Sequence, residues 1–81
     1  MKKIIVTGGL GFIGSNLIKI LIKKNYFVIN VDKVSYASNF YNTRDFSNKK
    51  NYKFIKLDIN NRFKFKKILN LHKPIAIFNL A

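Results

Sequence analysis

Thr7-Gly8-Gly9-Leu10-Gly11-Phe12-Ile13-Gly14 is the stretch that decides how this chain folds. The apolar run Ile4-Ile5-Val6 precedes it and reads as a buried strand, and a helical pattern follows it to about Lys24. A glycine pattern between a strand and a helix is the context that points to dinucleotide binding. Gly8, Gly11 and Gly14 have the spacing G-x-x-G-x-x-G. In that reading Gly8 turns tightly off the strand, Gly11 leaves no side chain where a pyrophosphate approaches, and Gly14 lets the helix pack closely. The amides and the positive dipole end of the helix then face the phosphates. Outside that context the same glycines would describe only a flexible loop.

Working outward, residues 2–7 read as the first strand and 12–24 as the first helix. Ile13, Leu17, Ile20 and Leu21 share one helical face, widened by Ile18 and Ile22, while Ser15, Asn16, Lys19 and Lys23 take the other. Asn25 is a plausible helix C-terminal cap. Residues 26–31 are β-branched and aromatic and read as a buried second strand. Asp32 ends it, about 20 residues beyond the glycine turn, where an acid binds the adenosine ribose hydroxyls. Residues 33–51 read as a loop with a short helix near Phe40–Phe46, and Ser35-Tyr36-Ala37-Ser38-Asn39, just after Asp32, either closes over the adenosine end or is an ordinary connecting loop, which spacing alone does not decide. Residues 52–57 form the third strand, ending at Asp58, and Asn60 or Asn61 caps a helix over 62–72. In that helix Phe65, Ile68, Leu69 and His72 share a face; His72, the only histidine, serves the helix end or the surface. Pro74 stops the helix and residues 75–80 form the fourth strand.

This alternation predicts an α/β, Rossmann-like fold: a partial four-stranded parallel sheet, order 3-2-1-4, with helices on both faces. The ligand crevice falls between strands one and four. Strand four is then an apolar edge without a covering helix. That predicts residues 1–81 to be one dinucleotide-binding half-domain at the start of a longer chain.

Composition sets further bounds. The 81 residues suffice for one small domain. There is no cysteine, so disulfides and thiolate metal sites are excluded, in keeping with a reducing cytoplasm. No apolar run approaches the roughly 20 residues of a membrane span. The opening Met1-Lys2-Lys3 and its apolar run break at Thr7-Gly8-Gly9 without a cleavage site, which reads as a strand and not a signal peptide. The net charge is +13, from sixteen basic residues against three acids. Such a charge suits a nucleic-acid or anionic-surface binder. Yet Lys, Ile, Asn and Phe make up more than half the chain, all with A- and T-rich codons. The lysines are scattered, and Arg44 and Arg62 are the only arginines, so compositional drift accounts for the charge better. Asp32 and Asp58 follow predicted strands, on the edge where such sheets bind ligands, and Asp45 reads as solvated surface.

The Thr7–Gly14 motif, Asp32, the Asp58-Ile59 pair and Asn79-Leu80-Ala81 together resemble the extended short-chain dehydrogenase/reductases over the whole chain. Within that family Val31-Asp32-Lys33-Val34-Ser35-Tyr36-Ala37-Ser38-Asn39 is most similar to the nucleotide-sugar 4,6-dehydratases that take dTDP-glucose. Ser38 stands where that group commonly has Gly; a Ser there is similar to the eukaryotic-type relatives and to those that use UDP-glucose, which leaves the nucleotide base open. The resemblance implies NAD as cofactor, which takes a hydride from C4 of the hexose, allows water to leave across C5 and C6, and returns the hydride to C6. It implies a nucleotide sugar as substrate, a full-length homodimer, and no metal, membrane or nucleic-acid partner. By the same resemblance Gly8, Gly11, Phe12, Ile13 and Gly14 surround the pyrophosphate. Asp32, Lys33, Val34 and Ser35 hold the adenosine ribose, Asp58 and Ile59 the adenine, and Leu80 and Ala81 border the nicotinamide side. No catalytic residue is expected in this chain: the family's Tyr-x-x-x-Lys pair is placed beyond it, and neither Tyr36 nor Tyr41 has a Lys four residues on.

Three other readings remain. A 4-epimerase or decarboxylase of the same family more often carries Asp-Asn where this chain has Asp32-Lys33. A small basic nucleic-acid-binding module would cluster its cations beside exposed aromatics. A stand-alone nucleotide-binding domain would take NAD without turnover.

Overall fold

A computed structural model describes residues 1–35 and 39–81. Four strands alternate with two helices: β1 (Lys3–Thr7), α1 (Phe12–Lys23), β2 (Phe27–Asp32), β3 (Tyr52–Lys56), α2 (Arg62–His72) and β4 (Ala76–Asn79). A single 3₁₀ turn, Phe40–Thr43, replaces the short helix expected near Phe40–Phe46. The sheet is parallel throughout in the order β3-β2-β1-β4, as the sequence predicts. Among the described residues no helix is long and apolar enough to cross a membrane.

Strand alternation divides the core in two. Ile4, Val6 and Val28 face α1 and pack with Ile18, Leu21, Ile22 and Phe46. Ile5, Ile29 and Val31 face the opposite way and meet Phe65, Ile68 and Leu69 of α2. The helices therefore lie on opposite faces, with the glycine turn leading from β1 to α1.

The buried side of α1 differs from the expectation. Ile13 and Ile20 are exposed, and Ser15, expected outside, is buried with its hydroxyl donating to the Phe12 carbonyl at 3.0 Å. Gly14 sets this rotation. A Cβ there would stand 2.5 Å from the Gly8 carbonyl oxygen and 2.9 Å from the Gly9 Cα, so the helix touches the turn through this bare position. Residues 17, 18, 21 and 22 then fall over the sheet, and 13 and 20 do not.

The helix ends follow their local chemistry. Asn25 takes a left-handed φ of 67° just past the α1 C-terminus, a conformation Asn tolerates. Asn61 caps α2, its side chain accepting from the Lys64 amide at 3.2 Å. His72 is partly exposed, and its Nδ1 lies 3.3 Å from Lys3 Nζ. Burial, then the charges of Lys3 and Lys53, hold the imidazole below its ordinary pKa. Asp45 lies at the surface as expected, in an ion pair with Lys19 at 2.8 Å.

Candidate functional site

The turn after β1 is bonded to β2 one amide at a time. The Gly8 amide donates to the Val31 carbonyl at 2.9 Å. The Gly9 amide donates to Asn30 Oδ1 at 2.9 Å, and the Leu10 amide to Asp32 Oδ2 at 3.1 Å. The Gly11 amide closes the turn on the Gly8 carbonyl at 3.2 Å. The first amide with a partner inside the helix is that of Ser15, which donates to the Gly11 carbonyl at 2.9 Å. The amides of Phe12, Ile13 and Gly14 come before it, in the first turn whose donors have no partner within a helix. Gly11 at the N-cap offers no side-chain cap. An anion at this end meets those donors and the positive end of the helix dipole.

The glycines differ in what they accommodate. Gly8 has a φ of 76°, and a Cβ on it would stand 2.8 Å from the Ala81 amide nitrogen, so the end of β4 presses on the turn here. Gly9, which the sequence reading left without a role, has no space for a Cβ because Asn30 and Ile18 fill it. Among the described residues a Cβ on Gly11 would find only the Gly8 carbonyl, at an ordinary 3.5 Å, so none of them crowds Gly11.

A cleft of about 380 Å³ opens at the carboxyl ends of the strands. Gly8 and Gly11 line it from the turn, Asp32, Lys33 and Ser35 from the end of β2, Asp58 and Ile59 from beyond β3, and Leu80 and Ala81 from beyond β4. Val31, Leu57 and Asn60 also line it, and the sequence reading gave none of them a part in binding. Of the expected binding residues, Phe12, Ile13, Gly14 and Val34 lie outside this lining. Phe12 and Ile13 project into solvent at the helix start, 76% and 72% exposed. Any part they take in binding an anion is then through their amides.

Asp32 is nearly buried and serves the backbone on both sides. Besides the Leu10 amide it accepts the Val34 amide on Oδ1 at 2.8 Å. Val34 there adopts a φ of 61°, a strained conformation for a β-branched residue. The carboxylate thus links the glycine turn to the turn that carries Lys33 and Ser35. Tyr36, Ala37 and Ser38, expected to close over the adenosine end, lie outside the described residues. Outside the cleft lining the Thr7 hydroxyl donates to Asn79 Oδ1 at 2.6 Å and ties β1 to β4. Among the described residues no three His, Cys, Asp or Glu side chains gather as a metal site would require.

One Tyr-x-x-x-Lys spacing does occur, at Tyr52 and Lys56, and the sequence reading passed over it. Both residues lie on β3, where four positions span about 13 Å instead of one helical turn. The Tyr52 hydroxyl accepts from Asn30 Nδ2 at 3.1 Å, and burial raises its pKa above the ordinary value. The pair has neither the proximity nor the ionisation of a proton-transfer couple.

Comparison with known proteins agrees with this geometry. The family model described as GDP-mannose 4,6 dehydratase matches residues 5–81. A dTDP-glucose 4,6-dehydratase of Haemophilus influenzae is 43% identical over 82 residues, covering 100% of this chain and 24% of that protein. The crystal structure of dTDP-glucose 4,6-dehydratase from Bacillus anthracis in complex with NAD superposes with a TM-score of 0.94 at 32% identity, over 100% of this chain and 27% of the other. A UDP-glucose 4-epimerase from Thermotoga maritima, solved with UDP-glucose, superposes with a TM-score of 0.83 at 37% identity, over 98% and 24%. The chain spans about a quarter of the length of the curated relatives it matches.

Proposed function

We propose, since the chain belongs to the GDP-mannose 4,6 dehydratase family, that residues 1–81 are the NAD-binding half-domain of a longer nucleotide-sugar 4,6-dehydratase with dTDP-glucose as substrate. The observation that carries this reading is the glycine turn. Its amides from Gly8 to Gly11 are bonded inward, which leaves the first-turn amides of α1 for a ligand, at the mouth of a cleft lined by Asp32 and Asp58. Those features fit a dinucleotide. The pyrophosphate meets the amides of Phe12, Ile13 and Gly14 beside the uncrowded face of Gly11. Asp32 accepts hydrogen bonds from the adenosine ribose hydroxyls, with Lys33, Val34 and Ser35 forming the adjoining wall. Asp58 and Ile59 border the adenine, and Leu80 and Ala81 border the nicotinamide side.

When bound, NAD supplies a hydride acceptor for C4 of the hexose and returns that hydride to C6 after water has left across C5 and C6. The residues of this chain bind and orient it, and the groups that move protons belong to the remainder of the longer enzyme. The longer enzyme would act as a soluble homodimer in the cytoplasm. The dehydratase reading stands over the 4-epimerase one on the similarity of Asp32-Lys33-Val34-Ser35 to that group.

Calorimetric titration of the purified chain with NAD tests the cofactor assignment, and incubation with dTDP-glucose and NAD tests the assignment of catalysis elsewhere. Saturable NAD binding without formation of a 4-keto-6-deoxy sugar is expected. Absence of binding refutes the first assignment, and turnover by the 81 residues refutes the second.

A further inference from the structure

Asn30 stands where the pattern of β2 calls for an apolar residue. Val28, two positions back on the same side of the strand, is wholly buried in the layer packed against α1. Asn30 is itself 0% exposed and does not line the cleft. Its carboxamide is used at both ends, Oδ1 accepting the Gly9 amide at 2.9 Å and Nδ2 donating to the Tyr52 hydroxyl at 3.1 Å. Tyr52 is in turn held edge-on against Phe46, with ring centroids 4.9 Å apart. The Gly9 amide, which can only donate, demands Oδ1, and the Tyr52 hydroxyl holds the other end of the carboxamide by accepting from Nδ2.

The peptide that Asn30 grips joins two glycines, Gly8 and Gly9. A Gly-Gly peptide has little steric reason to prefer one orientation. In a trans peptide the N–H and the preceding C=O point opposite ways. With the Gly9 N–H directed into Asn30, the Gly8 carbonyl turns toward the Gly11 amide at the start of α1. A rotated peptide would release Gly11 and reorient a carbonyl dipole beside the place where an anion sits.

We propose that Asn30, oriented by Tyr52, is a positioning residue for the cofactor pyrophosphate: it locks the Gly8-Gly9 peptide so that the N-terminal turn of α1 presents donors to the phosphates. This rests on the NAD reading above. The lock acts on the phosphate end of the cleft and leaves the adenosine end, formed by Asp32, Asp58 and Ile59, unaffected.

The test compares NAD, ADP and adenosine binding to the purified chain and its Asn30→Val and Tyr52→Phe variants, by calorimetry or ligand-observed NMR. Asn30→Val is expected to weaken NAD and ADP about tenfold while adenosine stays within about twofold, a split that general loosening of the fold would not produce. Tyr52→Phe, which keeps the Gly9 bond but frees the carboxamide to turn, is expected to weaken NAD about threefold with adenosine unchanged. Unchanged NAD affinity, or adenosine weakened in step with NAD, overturns the proposal. If Asn30→Val does not fold, Tyr52→Phe decides by the same criterion. Amide exchange separates the lock from the NAD reading. Faster exchange at Gly9 in Tyr52→Phe, with Leu10 unchanged, supports the lock even in a chain that takes no NAD, and unchanged Gly9 exchange refutes it.

Discussion

Alanine at Gly14 and alanine at Gly11 should fail in different ways. At Gly14 the added Cβ meets backbone on three sides, 2.5 Å from the Gly8 carbonyl oxygen, 2.9 Å from the Gly9 Cα and 3.2 Å from the Gly8 carbonyl carbon. No side chain can swing aside, so α1 or the turn must move. Overpacking of this kind costs about 1–3 kcal/mol, and backbone contact argues for the upper end. Alanine recovers about 1 kcal/mol of helix propensity, so the net loss is about 2 kcal/mol. For a domain of this size that lowers Tm by roughly 8–16 °C. At Gly11 the Cβ finds, among the described residues, a single atom at 3.5 Å, and the φ of −73° suits any residue. Alanine is a poorer N-cap than glycine by up to about 1 kcal/mol. The less flexible unfolded chain offsets about 0.4–1 kcal/mol of that. Gly11→Ala should therefore shift Tm by less than about 4 °C. Its methyl group nevertheless occupies the approach to the first-turn amides, so NAD affinity should fall at least about tenfold, or 1.4 kcal/mol. Thermal unfolding by circular dichroism and NAD titration measure the two effects. Equal loss of Tm in both variants, or unaltered NAD binding by Gly11→Ala, would show that the glycines do not divide the work in this way.

The wild-type chain should prefer NAD to NADP by at least about tenfold, because a 2′-phosphate would meet the Asp32 carboxylate. Asp32→Ala should narrow that preference and also lower Tm, since it removes the acceptor of the Leu10 and Val34 amides; an unchanged preference counts against Asp32. His72 has its pKa depressed in the folded state, so unfolding takes up its proton. Its contribution to stability is complete above the ordinary histidine pKa near 6.5 and is lost as pH falls from there through the depressed value. Tm measured from pH 8 to 5 should thus drop more for wild type than for His72→Gln, and parallel curves would exclude this role. The purified chain should self-associate through β4, whose segment 75–81 has no charged side chain and exposes Ile77, Phe78 and Leu80. Light scattering should show larger species that Ile77→Lys disperses; a monodisperse wild-type monomer at high concentration refutes the idea.

The features legible in the sequence are those that local chemistry determines. Strand alternation, the Asn61 cap and the β-α-β order lead to a parallel sheet of order β3-β2-β1-β4, and α2 begins and ends where Asn61 and Pro74 indicate. The rotation of α1 was not legible. Seven of its twelve residues are apolar, so periodicity leaves several faces equally good. Contact at Gly14 makes the choice, and contact is not a property of the helix alone. The Asn30 and Tyr52 pair was hidden for a similar reason. Asn30 bonds Gly9 twenty-one positions earlier and Tyr52 twenty-two positions later, distances at which no sequence pattern connects them. A signal did exist: an Asn inside an otherwise apolar strand needs a partner, and Gly9 was a glycine without an assigned purpose. In the same way, the Tyr52-to-Lys56 spacing resembles a catalytic pair only until the strand separates its members.

The distribution of charge bears on the two classes of function that the sequence left open. The chain holds sixteen cations and three acids, yet among the described residues Lys33 is the only cation lining the cleft, alongside Asp32 and Asp58. A groove for single-stranded nucleic acid tracks phosphates with cations and stacks bases on aromatics. This cleft concentrates the scarce acids instead, and among the described residues no aromatic side chain lines it. Carboxylates at the ends of β2 and β3 suit hydroxyl and amino donors, as on a ribose or an adenine. The one pyrophosphate of a dinucleotide can be held by backbone amides and the end of a helix, without a lysine clamp. The net charge of +13 then acts from outside the site, raising the local concentration of any anionic ligand while contributing little to which ligand is chosen.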